Sequence, residues 1–246
     1  MRIFLASLVL LFISCNTSKK SQTAQEIVDA AMLASGSEKV AKATISFKFR
    51  DIQYKAIRNQ GRFLLERSFK ENKDSITDQL SNEGFTRLLN NQAIQLHDTL
   101  ATAYSGSVNS VHYFSVLPFG LNDMAVRKKR LADQVVFGKD YYTIQIRFSE
   151  EGGGEDFDDV YIYWINKETS LIDYLAYSFH VNGGGVRFRE ATNPRTIKGV
   201  RFVDYNNYKK ENALTDLENL AKAFEKGELQ KLSEINLEAI SVQITP

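Results

Sequence analysis

The stretch Glu150-Glu151-Gly152-Gly153-Gly154-Glu155-Asp156-Phe157-Asp158-Asp159 packs six carboxylates and three glycines into ten residues. Carboxylate oxygens on a pliable backbone are what a hard cation such as Ca²⁺ takes as ligands. The acids Glu150, Glu151, Glu155, Asp156, Asp158 and Asp159 do not keep the alternate-position spacing of an EF-hand loop. A solvated hairpin loop is the simplest account of them. A cation site and a docking patch for a basic envelope partner are the alternatives, and no metal centre is assigned. A second constellation runs from His180 to Glu190 and holds the triple glycine Gly183-Gly184-Gly185. Glycines let backbone approach a ligand closely or build a bulged hairpin. His180, Arg187, Arg189 and Glu190 form either a polar pocket or the cross-strand ion pairs of that hairpin. The three histidines, His97, His112 and His180, show no zinc-binding spacing. His112, between Val111 and Tyr113, reads as a core or rim histidine. Neither a G-x-S-x-G elbow nor a phosphate-binding glycine loop is present. No enzyme and no cofactor are expected.

The remaining reactive residue is Cys15, the single cysteine, so no intrachain disulfide can form. It follows Met1-Arg2, an apolar run from Ile3 to Ile13, and Ser14. A positive start, a short apolar stretch and a small residue before the cut describe a secretory signal peptide. The run is well short of the ~20 residues of a spanning helix. Phe12-Ile13-Ser14-Cys15 resembles a relaxed bacterial lipobox, which implies cleavage before Cys15 and its acylation. Residues 1–14 are thus expected as signal peptide, 15–24 as a lipidated tether, and 25–246 as one domain held to the membrane by acyl chains. Asn16-Thr17-Ser18-Lys19-Lys20 after the cysteine holds no acidic cluster of the sort that resembles a surface-export signal, and that comparison implies the outer membrane, facing the periplasm. Removing residues 1–14 takes away one basic residue and leaves thirty of each sign. That balance gives no reason to expect nucleic acid as a partner.

Sixteen Phe and eleven Tyr with three Pro favour strands as the positioning elements. Ala24–Ser35 carries a helical stripe of Ile27, Val28, Ala31 and Met32, stopped by Gly36. From Ile45 the apolar period changes to two, through Phe47, Phe49, Tyr54 and Phe63. Two short helices are expected at Asp98–Ser105 and Asn109–Leu117. The basic run Arg127-Lys128-Lys129-Arg130 reads as a solvated surface. Strands return at Tyr142–Phe148, Val160–Ile165, Leu171–Val181, Val186–Arg189 and Ile197–Tyr208. A capping box at Thr215–Glu218 starts a late helix with Leu217, Leu220, Ala221 and Phe224 on one face. Ten or so sequential strands curl rather than lie flat. The expected fold is mainly β (α+β), a curled antiparallel half-barrel with a few helices capping its concave face.

Several segments resemble an uncharacterised lipoprotein family of Bacteroidota. They are Ser81–Phe85, SVNSVHYFSVLP at Ser107–Pro118, EEGGGEDFDDVYIY at Glu150–Tyr163, LAYSFHVNGGGVRFRE at Leu175–Glu190, and Asn193-Pro194-Arg195. The order of lipid-tethered cysteine, first helix and long meander also resembles the LolA/LolB-type lipoprotein-carrier superfamily. That resemblance implies a half-barrel with an apolar cavity able to hold acyl chains, and it transfers no binding residue. Phe47, Phe49, Phe63, Phe114, Trp164, Tyr177 and Phe179 are the aromatic candidates for lining such a cavity. The expected role is a lipid-anchored binding protein for a lipid or other apolar ligand. The alternative is a structural or interaction lipoprotein that docks through its acidic loop.

Overall fold

Wherever apolar and polar residues alternate, the chain is extended. The computed structural model describes residues 21–151, 157–180, 183–210 and 216–245. Cys15 with its leader and the tether to Lys20, Glu155 and Asp156 of the acidic stretch, Asn182 of the glycine hairpin, and Thr215 lie outside them.

Among the described residues, fifteen strands form two antiparallel sheets. The first is a meander of β1 (Ala43–Phe49), β2 (Ile52–Asn59), β3 (Arg62–Glu71), β4 (Asp74–Ser81), β5 (Gly84–Leu89) and β6 (Gln92–Ile94), with β15 (Glu238–Ile244) beside β1. The second comprises β7 (Val126–Arg130), β8 (Gln134–Val136), β9 (Lys139–Phe148), β10 (Tyr161–Asn166), β11 (Ile172–Phe179), β12 (Gly185–Ile197), β13 (Val200–Lys209) and β14 (Gln230–Ile235). Curled sheets with few helices match the expected class, but two sheets stand where one was expected. The strand that divides them is β14, largely exposed and polar in Gln230, Lys231, Ser233 and Glu234, so it shows little apolar period. Two residues, Asn236 and Leu237, carry the chain from β14 at one sheet's edge into β15 at the other's.

The Asp204 carboxylate fastens that seam. It accepts from the Leu237 N–H (2.8 Å), from Arg195 (2.8 Å) and from Asn193 (2.8 Å). Arg195 also donates to the Leu237 carbonyl. The segment Asn193-Pro194-Arg195 is therefore structural. Pro194 sits where the β12–β13 register shifts between Thr192 and Arg195, and a bulge tolerates a residue without an N–H. Past this bulge β12 runs on to Ile197, well beyond the short strand expected at Val186–Arg189.

The two helices expected between 98 and 117 are one, α3 (Asp98–Ser115). Gly106 inside it costs about 1 kcal/mol relative to alanine, and packing offsets that cost. Arg67 donates to Ser107 Oγ (2.6 Å), and the Arg87 guanidinium lies 3.6 Å from the Tyr104 ring centre. Both arginines pair with the fully buried Asp78, at 2.7 and 2.6 Å. One ion triad thus fixes α3 over β3, β4 and β5.

The second sheet is covered on both faces, and every residue of β10 is buried. Tyr161, Tyr163 and Ile165 face Ile27, Val28 and Ala31 of α1 (Ala24–Ala34) and the end of α3. Ile162 and Trp164 face the opposite way, towards a 3-10 turn (Leu217–Asn219) and α4 (Leu220–Glu225). The expected apolar stripe Leu217, Leu220, Ala221 and Phe224 makes this contact. The turn begins after Asp216, whose side chain makes no capping bond, and Thr215 of the expected box lies outside the described residues. A capping box does form at α1. Thr23 accepts from the Glu26 N–H, and Glu26 accepts from the Thr23 N–H. Residues 21–24, expected as tether, are also fixed: Arg130 donates to Ser21 and Gln22, and Tyr142 donates to Gln22. The basic run is strand β7 at a sheet edge, where charged side chains discourage pairing with another chain.

Candidate functional site

Helix α3 does not fill the space between the sheets, and a cavity remains on each flank. The first, about 430 Å³, lies under the C-terminal half of α3 against the concave face of the second sheet. Pairing places Tyr161 opposite Tyr177, and Tyr177 opposite Arg187. Alternation then brings Arg189 to the same face two residues on. The Tyr161 and Tyr177 rings stack at 5.7 Å, and Phe114 of α3 closes on Tyr177 at 5.5 Å. Phe49, Phe179, Val203 and Tyr205 complete much of the apolar lining.

Arginines break this aromatic surface. Arg189 is 9% exposed, and its guanidinium carbon stands 4.0 Å from the Phe114 ring centre. Its Nη2 donates to the Tyr177 hydroxyl (3.0 Å), while its Nε is buried with no hydrogen-bond partner. Arg187 lies over Phe179 (4.6 Å) and donates to the Val186 carbonyl. Arg50 stands at the mouth over Phe49 (5.1 Å). Among the described residues the lining holds one carboxylate, Asp159, which sits 3.1 Å from His180 Nδ1.

The second cavity, about 400 Å³, is bounded by Phe63, Leu65, Tyr113 and Phe119. Arg58 enters it from β2. Burial lowers its pKa to about 10, and its Nη1 has no partner. His112 packs edge-on against Phe47 and Tyr54 and meets the Glu66 carbonyl through Nε2 (3.0 Å). A carbonyl only accepts, so the proton is on Nε2 and Nδ1 carries the lone pair. Burial holds this imidazole neutral and lowers its pKa to about 4.

Of the aromatic candidates, Phe49, Phe114, Tyr177 and Phe179 line the first cavity, and Phe63 lines the second. Phe47 and Trp164 line neither. Phe47 is core, stacked on Tyr54 at 5.3 Å. Trp164 belongs to the opposite face of its sheet, where Nε1 donates to Gln134. The expected polar pocket divides for the same reason. Arg187 and Arg189 share the cavity face, but Glu190 is one residue out of phase and accepts from Asn206 and Tyr208. His180 turns to the acidic stretch and, with Asp158 and Asp159, forms a cluster whose ligand atoms lie within 4.8 Å. Among the described residues the cluster offers three ligands, fewer than the six to eight oxygens that Ca²⁺ takes; Glu155 and Asp156 lie outside those residues. Glu150 and Glu151 are not in this cluster. Arg58 and Arg50 were not anticipated. Arg58 was legible in part, as a cation on the inward phase of Tyr54 and Ala56.

The match to one family model runs over residues 1–237. The chain belongs to DUF6503, a family of unknown function. Among solved structures it is similar to the LolA superfamily protein NE2245 from Nitrosomonas europaea, with TM-score 0.52 and 12% identity over 92% of this chain and 96% of that one. It is also similar to a putative outer membrane lipoprotein-sorting protein domain from Vibrio parahaemolyticus, with TM-score 0.47 and 9% identity over 89% and 93%. No curated protein matches it. The first of these likenesses establishes a LolA-like fold for this DUF6503 chain. Three of the segments noted in the sequence, 107–118, 150–163 and 175–190, meet at the first cavity.

Proposed function

We propose that this chain is a lipid-anchored envelope binding protein that holds a single-chain apolar ligand in the cavity beneath α3. The leader and Cys15 support the anchor, the outer membrane and the periplasmic side. The observation that carries the binding role is the first cavity itself. Among the described residues six aromatic rings and four aliphatic side chains line it, it lies within the ~300–1,000 Å³ of small-molecule sites, and both sheets and a pinned helix preform it. A methylene fills about the volume of one water, ~30 Å³. The cavity therefore takes on the order of a dozen of them, one acyl chain rather than three. No helix among the described residues is long and apolar enough to cross a membrane.

The test is photolabelling of the whole protein in phospholipid nanodiscs with a diazirine-bearing sixteen-carbon fatty acid, read by mass spectrometry of its peptides. Adducts are expected on the peptides of Phe114 and Tyr177. Val111→Trp, which places a large ring in the cavity from α3, is expected to remove most of them. Adducts confined to other peptides, or indifferent to Val111→Trp, would overturn the proposal.

A further inference from the structure

The charges in the first cavity are unbalanced. Among the described residues, three guanidinium groups, those of Arg50, Arg187 and Arg189, border it with the single carboxylate of Asp159, and that carboxylate is engaged by His180. Among the described residues no acid forms an ion pair with Arg187 or Arg189. A buried cation normally has a partner, because desolvating it alone is costly. Arg189 is nine-tenths buried, and of its donors Nη2 meets only a neutral phenol while Nε meets nothing. Its contact with the Phe114 ring, at 4.0 Å, and its bond to Tyr177 hold the guanidinium in place. A fixed guanidinium with spare donors is the geometry that binds a carboxylate or phosphate through two oxygens.

We infer that the cavity selects an amphiphile with an oxyanion head, the head seated on Arg189 and Arg187 and the single acyl chain lying among the rings of Phe114, Tyr177 and Phe179. This rests on the apolar-ligand reading above and names the ligand class for it. Arg50, exposed at the mouth, supplies attraction for the incoming head rather than a fixed contact. Carboxylate and phosphate heads share this chemistry.

The experiment compares three diazirine probes with the same sixteen-carbon chain, namely the carboxylate, the alkyl phosphate and the alcohol, on the whole protein in nanodiscs. The readout is the probe concentration that half-saturates labelling of the Phe114 and Tyr177 peptides. Either or both acid probes are expected to label at roughly tenfold to a hundredfold lower concentration than the alcohol, the range for losing a charged hydrogen bond. Arg189→Gln is expected to bring that ratio close to one. Arg187→Gln, expected to reduce it in part, serves if the first variant melts early by circular dichroism. Equal labelling by all three probes would overturn the head assignment and leave the apolar reading standing. Labelling by none would overturn both. Competition by inorganic phosphate alone, as effective as by the alkyl phosphate, would overturn the amphiphile and make this a small-anion site. An unchanged ratio in Arg189→Gln would also overturn the assignment.

Discussion

His112 shows how one residue's surroundings set its chemistry. A histidine on an amphipathic helix is an acid–base candidate by type, with an ordinary pKa near 6.5. Here it packs edge-on against the stacked pair Phe47 and Tyr54, is tied to the Glu66 carbonyl, and is held neutral with a pKa lowered to about 4 by burial. The unfolded chain binds its proton more readily than the folded one. His112 therefore leaves stability intact above about pH 6.5 and erodes it as the pH falls towards 4. The loss is up to ~1.4 kcal/mol per pH unit and about 3 kcal/mol in all. His112→Gln keeps a donor for the Glu66 carbonyl but does not titrate. Urea unfolding between pH 7 and pH 4.5 should show a shallower decline for this variant than for the native chain. Arg58 and Arg189 make the same point for cations. Their identities were visible in the sequence. Their lack of acidic partners was not, because it depends on which side chains the other sheet presents.

Strands were the most readable elements, and their errors share a cause. Period two is a property of the extended backbone, so Phe47, Tyr54, Leu65 and Ile146 were placed on inward faces from local pattern alone. The same rule correctly separates Arg187 and Arg189 from Val186 and Phe188, and it also separates them from Glu190. Elements whose stability comes from distant contacts were misread. The ion triad of Asp78, Arg67 and Arg87 makes α3 continuous through Gly106, although nothing within 98–115 announces it. The junction of α1 and α2 (Ser37–Val40) shows a local signal sharpened by a tertiary one. Gly36 was legible as a helix stop. In the fold it has φ +72°, and an added Cβ would lie 1.9 Å from the Gly199 carbonyl oxygen at the tip of the β12–β13 hairpin. The neighbouring Ser35 carbonyl accepts from the Arg201 N–H (3.0 Å), which holds that hairpin in place. Gly36→Ala combines left-handed strain with a clash against backbone and should cost about 2–4 kcal/mol. Thermal melting of the variant checks this. A change within a few tenths of a kcal/mol would mean the helix–hairpin contact is not as close as described.

At the scale of the whole molecule, two sheets joined at one seam form the walls of the cavity. Ile235 and Leu237 flank the β14-to-β15 crossing and also line that cavity. Ligand capture is thereby coupled to Asp204 and Arg195, which hold Leu237 without lining the cavity themselves. Asp204→Ala removes the acceptor shared by Leu237, Arg195 and Asn193. It should cost about 2–4 kcal/mol. It should also speed amide exchange in β14 and β15 and weaken labelling of the cavity peptides. Lower stability with normal exchange at the seam would place the effect elsewhere.

The sequence by itself determined the class of this protein: its apolar alternation, its aromatic content, its single cysteine behind a leader-like run, and its balanced charge. These are local or compositional properties, and backbone geometry translates them into strands and faces without reference to the rest of the chain. Only the tertiary structure decided that there are two sheets, that Trp164 and Phe47 are core, and that Arg50, Arg187 and Arg189 meet around one cavity. Those outcomes depend on which distant segments pack together. Pairing across long sequence separations is set by the summed burial of whole faces, and no short stretch of residues contains it.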